Sequence, residues 1–446
     1  MKMNPHKLLL DLDLRLNRVP GLREIRYLPA TIWALSSFSF FIDTFVYSLT
    51  VSMLPTVLQD QMGAPESANG VVTSVFGAGS VVASLIIGVL SDQLQNRRGL
   101  QIFGSLVYVV SGIIFYYARH YYQILLFRLV NGAASGIACT LFYATLGDVY
   151  PANLLGFKVA IIYFCNDIAY TIGPICGQRL FNIARVKGPA SVVIALGVLK
   201  LILLTVVSGD SLVIRKIIRA SEEEVEAKGP EIVSVSAEKS MSIPRLLLRP
   251  PVIISTLAIM ASLGVQGMLE GLVPLHLIDK LNRPNDNGIS FVILGLAFTV
   301  LVPIVGKVND TLISRWDEQM RYCLMLFGSL AMILAMVLMA LAKTYAVLMV
   351  GFAFFALTNL CMCIPAQSAY GDFINSVGTD SMARGYSIAI CAWAAGAIVL
   401  PSIGSALYSH LGFAKPVIGV STAACLISAS ACLAFIIYSR KQRQSF

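Results

Sequence analysis

Gly88-Val-Leu-Ser-Asp92-Gln-Leu-Gln-Asn-Arg97 and Gly306-Lys-Val-Asn-Asp310-Thr-Leu-Ile-Ser-Arg315 are one pattern, G-x-x-x-D-x-L-x-x-R, written twice in the same chain. In each copy an Asn-Gly pair, Asn69-Gly70 or Asn287-Gly288, stands eighteen residues ahead of the first glycine. Two further echoes keep the same order. Pro174-x-x-Gly177 returns as Pro401-x-x-Gly404, and Gly147-Asp148 returns as Gly371-Asp372. One such match is weak; three in register make the chain an internal duplication. Between the copies lies the one long polar stretch, 209–250, with a basic amphipathic run at Leu212–Arg219 and an acidic run at Glu222–Glu226.

The repeated unit is apolar. Hydrophobic residues make up 57% of the 446 and charged residues only 13%, about half the charged share of an ordinary soluble domain. A single soluble core also stops growing near roughly 250–300 residues, so a water-soluble reading fails. A helix that crosses a bilayer needs about 20 mostly apolar residues. Seven charge-free runs meet this: 67–91, 99–118, 287–306, 322–342, 344–371, 385–409 and 416–439. Five more carry one buried ionisable residue each: 28–57 (Asp43), 121–147 (Arg128), 158–182 (Asp167), 188–208 (Lys200) and 251–277 (Glu270). The expectation is an all-α membrane protein of twelve spans in two six-helix bundles. The boundaries are an N-tail at 1–27, bundles at 28–208 and 251–438, a central loop at 209–250 and a C-tail at 439–446.

Orientation follows the bias of Lys and Arg toward the cytoplasmic side. With both termini inside, 23 of these residues fall on the cytoplasmic side against eight opposite, so both tails are placed in the cytoplasm. The N-tail lacks a short apolar core followed by a small-residue cleavage site, so it is not read as a signal peptide. The nine cysteines lie in or beside apolar runs without framework or metal spacing and read as packing residues. The four histidines share no metal spacing. Gly77-Ala-Gly79 sits inside a span with no strand before it, which excludes a nucleotide loop. No cofactor, no metal, no nucleic acid and no catalytic cluster is expected, so the chain is not read as an enzyme.

Gly88 to Arg98 resembles the loop 2–3 signature of the major facilitator superfamily. Arg128-Leu-Val-Asn-Gly132-Ala-Ala-Ser-Gly136 resembles its span-four motif, and Ala169-Tyr-Thr-Ile-Gly173-Pro174-Ile-Cys-Gly177 the span-five motif of its proton antiporters. Phe41-Ile-Asp43 followed by Pro55 is similar to the twelve-span drug:proton antiporter branch, near the fungal relatives of vesicular amine transporters. Gln93, Gln95, Ala169 and Gln178 depart from those motifs. The resemblance implies a proton-coupled antiporter, a monomer, that exports or sequesters small cationic or amphipathic compounds across a plasma, vacuolar or vesicular membrane. A uniporter or symporter of a sugar, carboxylate or amino compound is the same-fold alternative. A transport-inactive receptor or scaffold using 209–250 is the alternative from another class.

Charge inside a span is expensive and marks substrate or ion paths by default. Asp43 near mid-span one, Asp167 six residues before Gly173-Pro174, and Glu270 toward the outer end of span seven are the proton or cation candidates. The outer position leaves open that Glu270 is simply wet. Arg128 holds its charge and is expected to bias a facing carboxylate. Lys200 either snorkels to the inner surface or pairs with an acid, and snorkelling is preferred. Asp92 is expected against the positive N-terminus of span eleven, with Arg97 or Arg98 bridging to Asp148. The mirror set is Asp310, Arg315 and Asp372, and these contacts would close the inner side. Gly132 and Gly136 allow close helix packing, and Gly173-Pro174 is expected to kink span five. Phe41, Tyr47, Tyr143, Tyr163, Tyr170 and Trp393 are candidate cavity aromatics.

Overall fold

The computed structural model describes residues 22–65, 67–94, 96–150, 152–215, 247–283, 286–377 and 382–444. The N-tail up to residue 21, the acidic run and the rest of 216–246 lie outside the described residues. Among those described, twelve helices have 20 residues or more. In chain order they are α1 Pro29–Val51, α2 Ala68–Leu94, α3 Arg97–Tyr116, α4 Tyr121–Val149, α5 Ala152–Ala184, α6 Lys187–Val206, α7 Pro250–Asp279, α8 Asn287–Arg315, α9 Met320–Ala340, α10 Tyr345–Val377, α11 Met382–Leu411 and α12 Ala414–Gln444. Eleven helices are long and apolar enough to cross a membrane; α5 is not among them.

Local chemistry sets the helix ends. Pro29 and Pro250 stand in the first turns of α1 and α7, where a missing N–H costs nothing. The Asn96 side chain caps α3 by accepting from the Gly99 amide at 2.8 Å, as an N-cap residue does. Inside the spans, some hydroxyls satisfy themselves on their own helix. Thr50 donates to the Val46 carbonyl at 3.0 Å, and Ser329 to the Met325 carbonyl at 2.9 Å. That back-bonding lets a span carry serine and threonine without an unpaired polar group.

Within the first half, α2 packs on α4, α3 on both α4 and α6, and α1 on α5. Small residues bring these backbones close. A Cβ on Gly132 would collide with the Phe76 carbonyl, and one on Gly136 with the Ser80 carbonyl. Gly173 and Gly177 seat α5 in the same way against Phe45 to Leu49 of α1. The α5 helix runs unbroken through Pro174, whose carbonyl accepts from Ser52 Oγ of the neighbouring segment at 3.3 Å.

The halves meet through α2 with α11 and through α5 with α8, two pairs that are each other's image under the duplication. At the end away from the chain termini the contacts are tight and polar. Ser74 Oγ bonds the Ile398 carbonyl at 2.7 Å, and Asn287 Nδ2 donates to the Ser52 carbonyl at 2.8 Å. Gly70 lies against the Pro401 carbonyl and Ser405. At the end that carries the termini, Phe40, Phe142, Leu146 and Ile162 of the first half pack with Val252, Tyr370 and Ile388 of the second in one apolar cluster. The halves therefore touch at both ends.

Beside this lower end, Ser211–Arg215 form a turn of helix after α6. Leu212 and Ile214 are buried, and Ile214 clusters with Ile32 and Val149. The start of the basic run at Leu212–Arg219 is thus packed on the protein. Gly209 N donates to the Arg26 carbonyl at 2.9 Å, and buried Arg26 returns a bond from Nη2 to the Ser208 carbonyl at 3.2 Å.

Candidate functional site

Glu270 is the centre of the polar network that joins the halves. It projects from α7, nine residues before Asp279, or about 14 Å along the axis, and is only 3% exposed. The wet position allowed by its place in the sequence is corrected: depth along a helix does not say which way a side chain faces. Tyr47 of α1 donates to Glu270 Oε2 at 2.6 Å, and Tyr170 of α5 donates to Oε1 at 2.5 Å. Gln266, one turn earlier on α7, donates to Oε1 at 3.1 Å. A carboxylate of the second half is thus held by two phenols of the first.

Arg128 of α4 stands next to it and is 0% exposed. Its Cζ lies 5.7 Å from the Tyr47 ring centroid, 5.6 Å from Phe76 and 6.0 Å from Phe127. Tyr47 therefore turns its ring to the guanidinium and its hydroxyl to the carboxylate. The charges of Arg128 and Glu270 feel each other. Nε, Nη1 and Nη2 of Arg128 have no hydrogen-bond partner among the described residues. Arg128 and Glu270 both line a cavity of about 230 Å³, walled also by Val51, Leu54, Pro55 and Thr73. Trp393 of α11 meets the edge of Phe76 at 6.1 Å behind this wall.

Asp43 lies elsewhere. Its Oδ2 accepts from Ser135 of α4 at 2.7 Å and from the Cys139 thiol at 3.8 Å, both inside the first half. Lys200 of α6 is 4% exposed, sits over the Tyr108 ring at 5.3 Å and is within electrostatic reach of Asp43. The preferred snorkelling of Lys200 is corrected: its side chain is buried within the first half, near an acid, rather than at the inner surface. Lys200 also lines a second cavity, of about 260 Å³, with Ser36, Ser39 and Gln101. Asp167 belongs to neither network. It is half-buried on α5, its Oδ2 has no hydrogen-bond partner among the described residues, and it feels Cys363 of α10 across the two halves. Asp43 and Asp167 are not brought together.

The charges expected at the inner gate form pairs within each half. Arg97 Nε donates to Asp148 Oδ2 at 3.1 Å, and Arg215 Nη1 reaches Oδ1 at 3.3 Å. Ser211 Oγ adds a bond to Oδ2 at 3.0 Å. Arg98 instead caps the end of α6, donating to the carbonyls of Leu204 at 3.3 Å and Thr205 at 2.5 Å. The side chain of Asp92 lies outside the described residues, and Gly88 is buried on α2. In the second half Asp310 and Arg315 are exposed. Arg321, which the repeat did not mark, donates to Asp372 Oδ2 at 2.9 Å. The described contacts that cross between the halves at this end are the apolar ones of Phe142 and its neighbours.

Tyr143 packs in that apolar cluster, and Phe41 stacks on Phe45 at 6.3 Å. The Tyr163 side chain lies outside the described residues. Missed by sequence reading were Gln266, Arg321 and Arg215. Gln266 had a usable signal, since it stands one helical turn from Glu270 and i,i+4 pairs face one another.

Residues 36–383 match the family model of the Major Facilitator Superfamily. The chain belongs to that superfamily. An MFS-type transporter of Schizosaccharomyces pombe, C18.02, is 23% identical over 164 residues, which is 36% of each chain. Monosaccharide-sensing protein 1 of Arabidopsis thaliana is 28% identical over 107 residues, 24% of this chain and 14% of that one. The chain thus matches about a third or less of the length of these relatives. In fold it is similar to the human organic anion transporter MFSD10 (TETRAN), with a TM-score of 0.65 at 15% identity over 91% of this chain and 99% of that one. It is a multi-pass membrane protein with the facilitator fold.

Proposed function

We propose that this chain is a proton-coupled carrier that exports or sequesters a small amphipathic organic solute by alternating access. The cavity takes its lining from both of the two related halves, the arrangement in which such carriers rock around a fixed site. Both termini are assigned to the cytoplasm on the Lys and Arg bias. One observation carries the coupling: Glu270 of α7 takes its hydrogen bonds from Tyr47 of α1 and Tyr170 of α5. A carboxylate accepts both phenols with its full charge, whereas a protonated carboxyl is neutral, accepts more weakly and adds one O–H donor of its own. Proton loading at Glu270 therefore rewrites the bonds that tie the halves together. That is the differential interaction a ligand needs to shift a conformational equilibrium.

The mixed lining, Val51, Leu54 and Pro55 beside Arg128 and Glu270, supports an amphipathic solute. The sequence resemblance favours a cationic one, but both Glu270 oxygens already accept from protein donors. The test is proton movement in proteoliposomes holding wild type or Glu270→Gln, challenged with a solute panel. The expected result is solute-dependent proton flux that is lost in the variant. Proton flux that survives in Glu270→Gln sinks the coupling assignment. A second reading, uniport of a sugar, draws on the similarity to the Arabidopsis monosaccharide-sensing protein. Solute flux with no proton movement in wild type would favour it.

A further inference from the structure

We propose that Arg128 is the substrate anchor and that the solute carries a carboxylate, as a small organic anion or an amino acid-like zwitterion. The inference rests on the reading of the central cavity as the substrate site, and it names the chemistry of that substrate. The two charged groups that line the cavity differ in what they still lack. Glu270 has its oxygens filled by Tyr47, Tyr170 and Gln266 at 2.6, 2.5 and 3.1 Å. Arg128 has no hydrogen-bond acceptor at any of its three nitrogens among the described residues, although it is 0% exposed. Buried donors are almost always paired, because an unmade bond leaves the desolvation cost uncompensated.

Tyr47, Phe76 and Phe127 surround the guanidinium at 5.6 to 6.0 Å, but rings satisfy its charge and not its N–H groups. The missing partner is therefore an acceptor, and an anionic one. A planar fork of N–H donors matches a carboxylate two bonds at a time. The rest of the lining is largely apolar, so the body of the solute would lie against Val51, Leu54 and Pro55.

The test uses matched trios on one skeleton: butyrate, butanamide and butylamine; benzoate, benzamide and benzylamine; with 4-aminobutyrate, chloride and inorganic phosphate added. The readout is the Tm of the full-length protein in lipid nanodiscs as each is titrated. Wild type is expected to be stabilised by at least one carboxylate and not by its amide or amine. Arg128→Gln should weaken that midpoint by about 10- to 100-fold, the worth of a charge-assisted bond. Should Arg128→Gln fail to fold, Arg128→Lys keeps the charge but not the fork, and should bind the same carboxylate about tenfold more weakly. The assignment is overturned if no carboxylate stabilises wild type, if amines do so instead, or if chloride or phosphate matches the carboxylates. It is also overturned if the response survives in Arg128→Gln or is undiminished in Arg128→Lys. An amine that drives Glu270-dependent proton flux would remove the carboxylate and leave the carrier reading standing.

Discussion

Asp43 and Glu270 are both buried acids, each beside a buried cation, and they sit in different kinds of place. Every described partner of Asp43 belongs to the first half: Ser135, Cys139 and Lys200. Glu270 takes donors from both halves. When two rigid bundles rock, bonds inside one bundle ride along unchanged, whereas bonds between bundles must break or re-form. A proton on Asp43 is therefore a matter of stability within one half. Under the proposed function, a proton on Glu270 sets which way the carrier faces.

The largest effect should separate the two acids. Glu270→Gln is expected to abolish solute-driven proton flux, while Asp43→Asn keeps coupled flux in whatever protein folds. The comparison breaks if Asp43→Asn uncouples transport and Glu270→Gln does not. A graded version follows from Tyr47 and Tyr170. Each phenol gives Glu270 one bond to a charged group, worth about 1.5–3 kcal/mol. Tyr47→Phe or Tyr170→Phe should thus shift the balance between the two facing states by about 10- to 100-fold. The shift is readable as altered protease or thiol-probe access at the two faces. Unchanged access in both variants would show that the phenols hold Glu270 without tying the halves.

The Asp43 side of the comparison is a stability measurement. Removing one member of a buried charge pair strands the other, and that is where the cost arises. Asp43→Asn and Lys200→Met should each lower the unfolding midpoint in detergent. The double variant should lie closer to wild type than the sum of the two, with a coupling of about 0.5–3 kcal/mol. Simple additivity would mean that Lys200 and Asp43 do not answer each other's charge.

Much of this was legible in the sequence, and the part that was not has a geometric reason. Apolar length and the doubled G-x-x-x-D-x-L-x-x-R pattern carry the twelve-helix fold, because a bilayer sets helix length and a duplication repeats its own marks. Arg128, Glu270, Tyr47 and Tyr170 were each visible as residues that a span should not carry without reason. Their meeting was not visible, since it depends on rotations of four helices about their own axes. Lys200 was misjudged for the same cause: snorkelling and pairing use one side chain in two directions. The inner pairs failed differently. Arg97 and Asp148 are 51 residues apart, and so are Arg321 and Asp372. The glycine-led pattern instead points to Arg315, because the paired arginine of the second half stands six residues further from its glycine than that of the first. Spacing from Gly371-Asp372 would have found Arg321, whereas spacing from Gly306 could not.

The smallest effect tests that register. Arg97 and Asp148 are both nearly closed to solvent, with side chains 6% and 4% exposed. Arg97→Ala should therefore cost about 3–5 kcal/mol, as loss of one partner of a buried pair does. Arg321 is 5% exposed but its partner Asp372 is 64% exposed, so water takes over much of what the arginine gave. Arg321→Ala should cost only about 1 kcal/mol, the upper range for a pair open to solvent. Arg315 is exposed at the last residue of α8, and Arg315→Ala should fall within about 0.5 kcal/mol of wild type. Unfolding of the three variants in one detergent ranks them directly. If Arg315→Ala costs more than Arg321→Ala, the six-residue offset has not moved the role of the first-half arginine onto Arg321. If Arg97→Ala costs no more than Arg321→Ala, then burial is not what separates the two halves at this end, and the first half is held there by Arg215 and Ser211 instead.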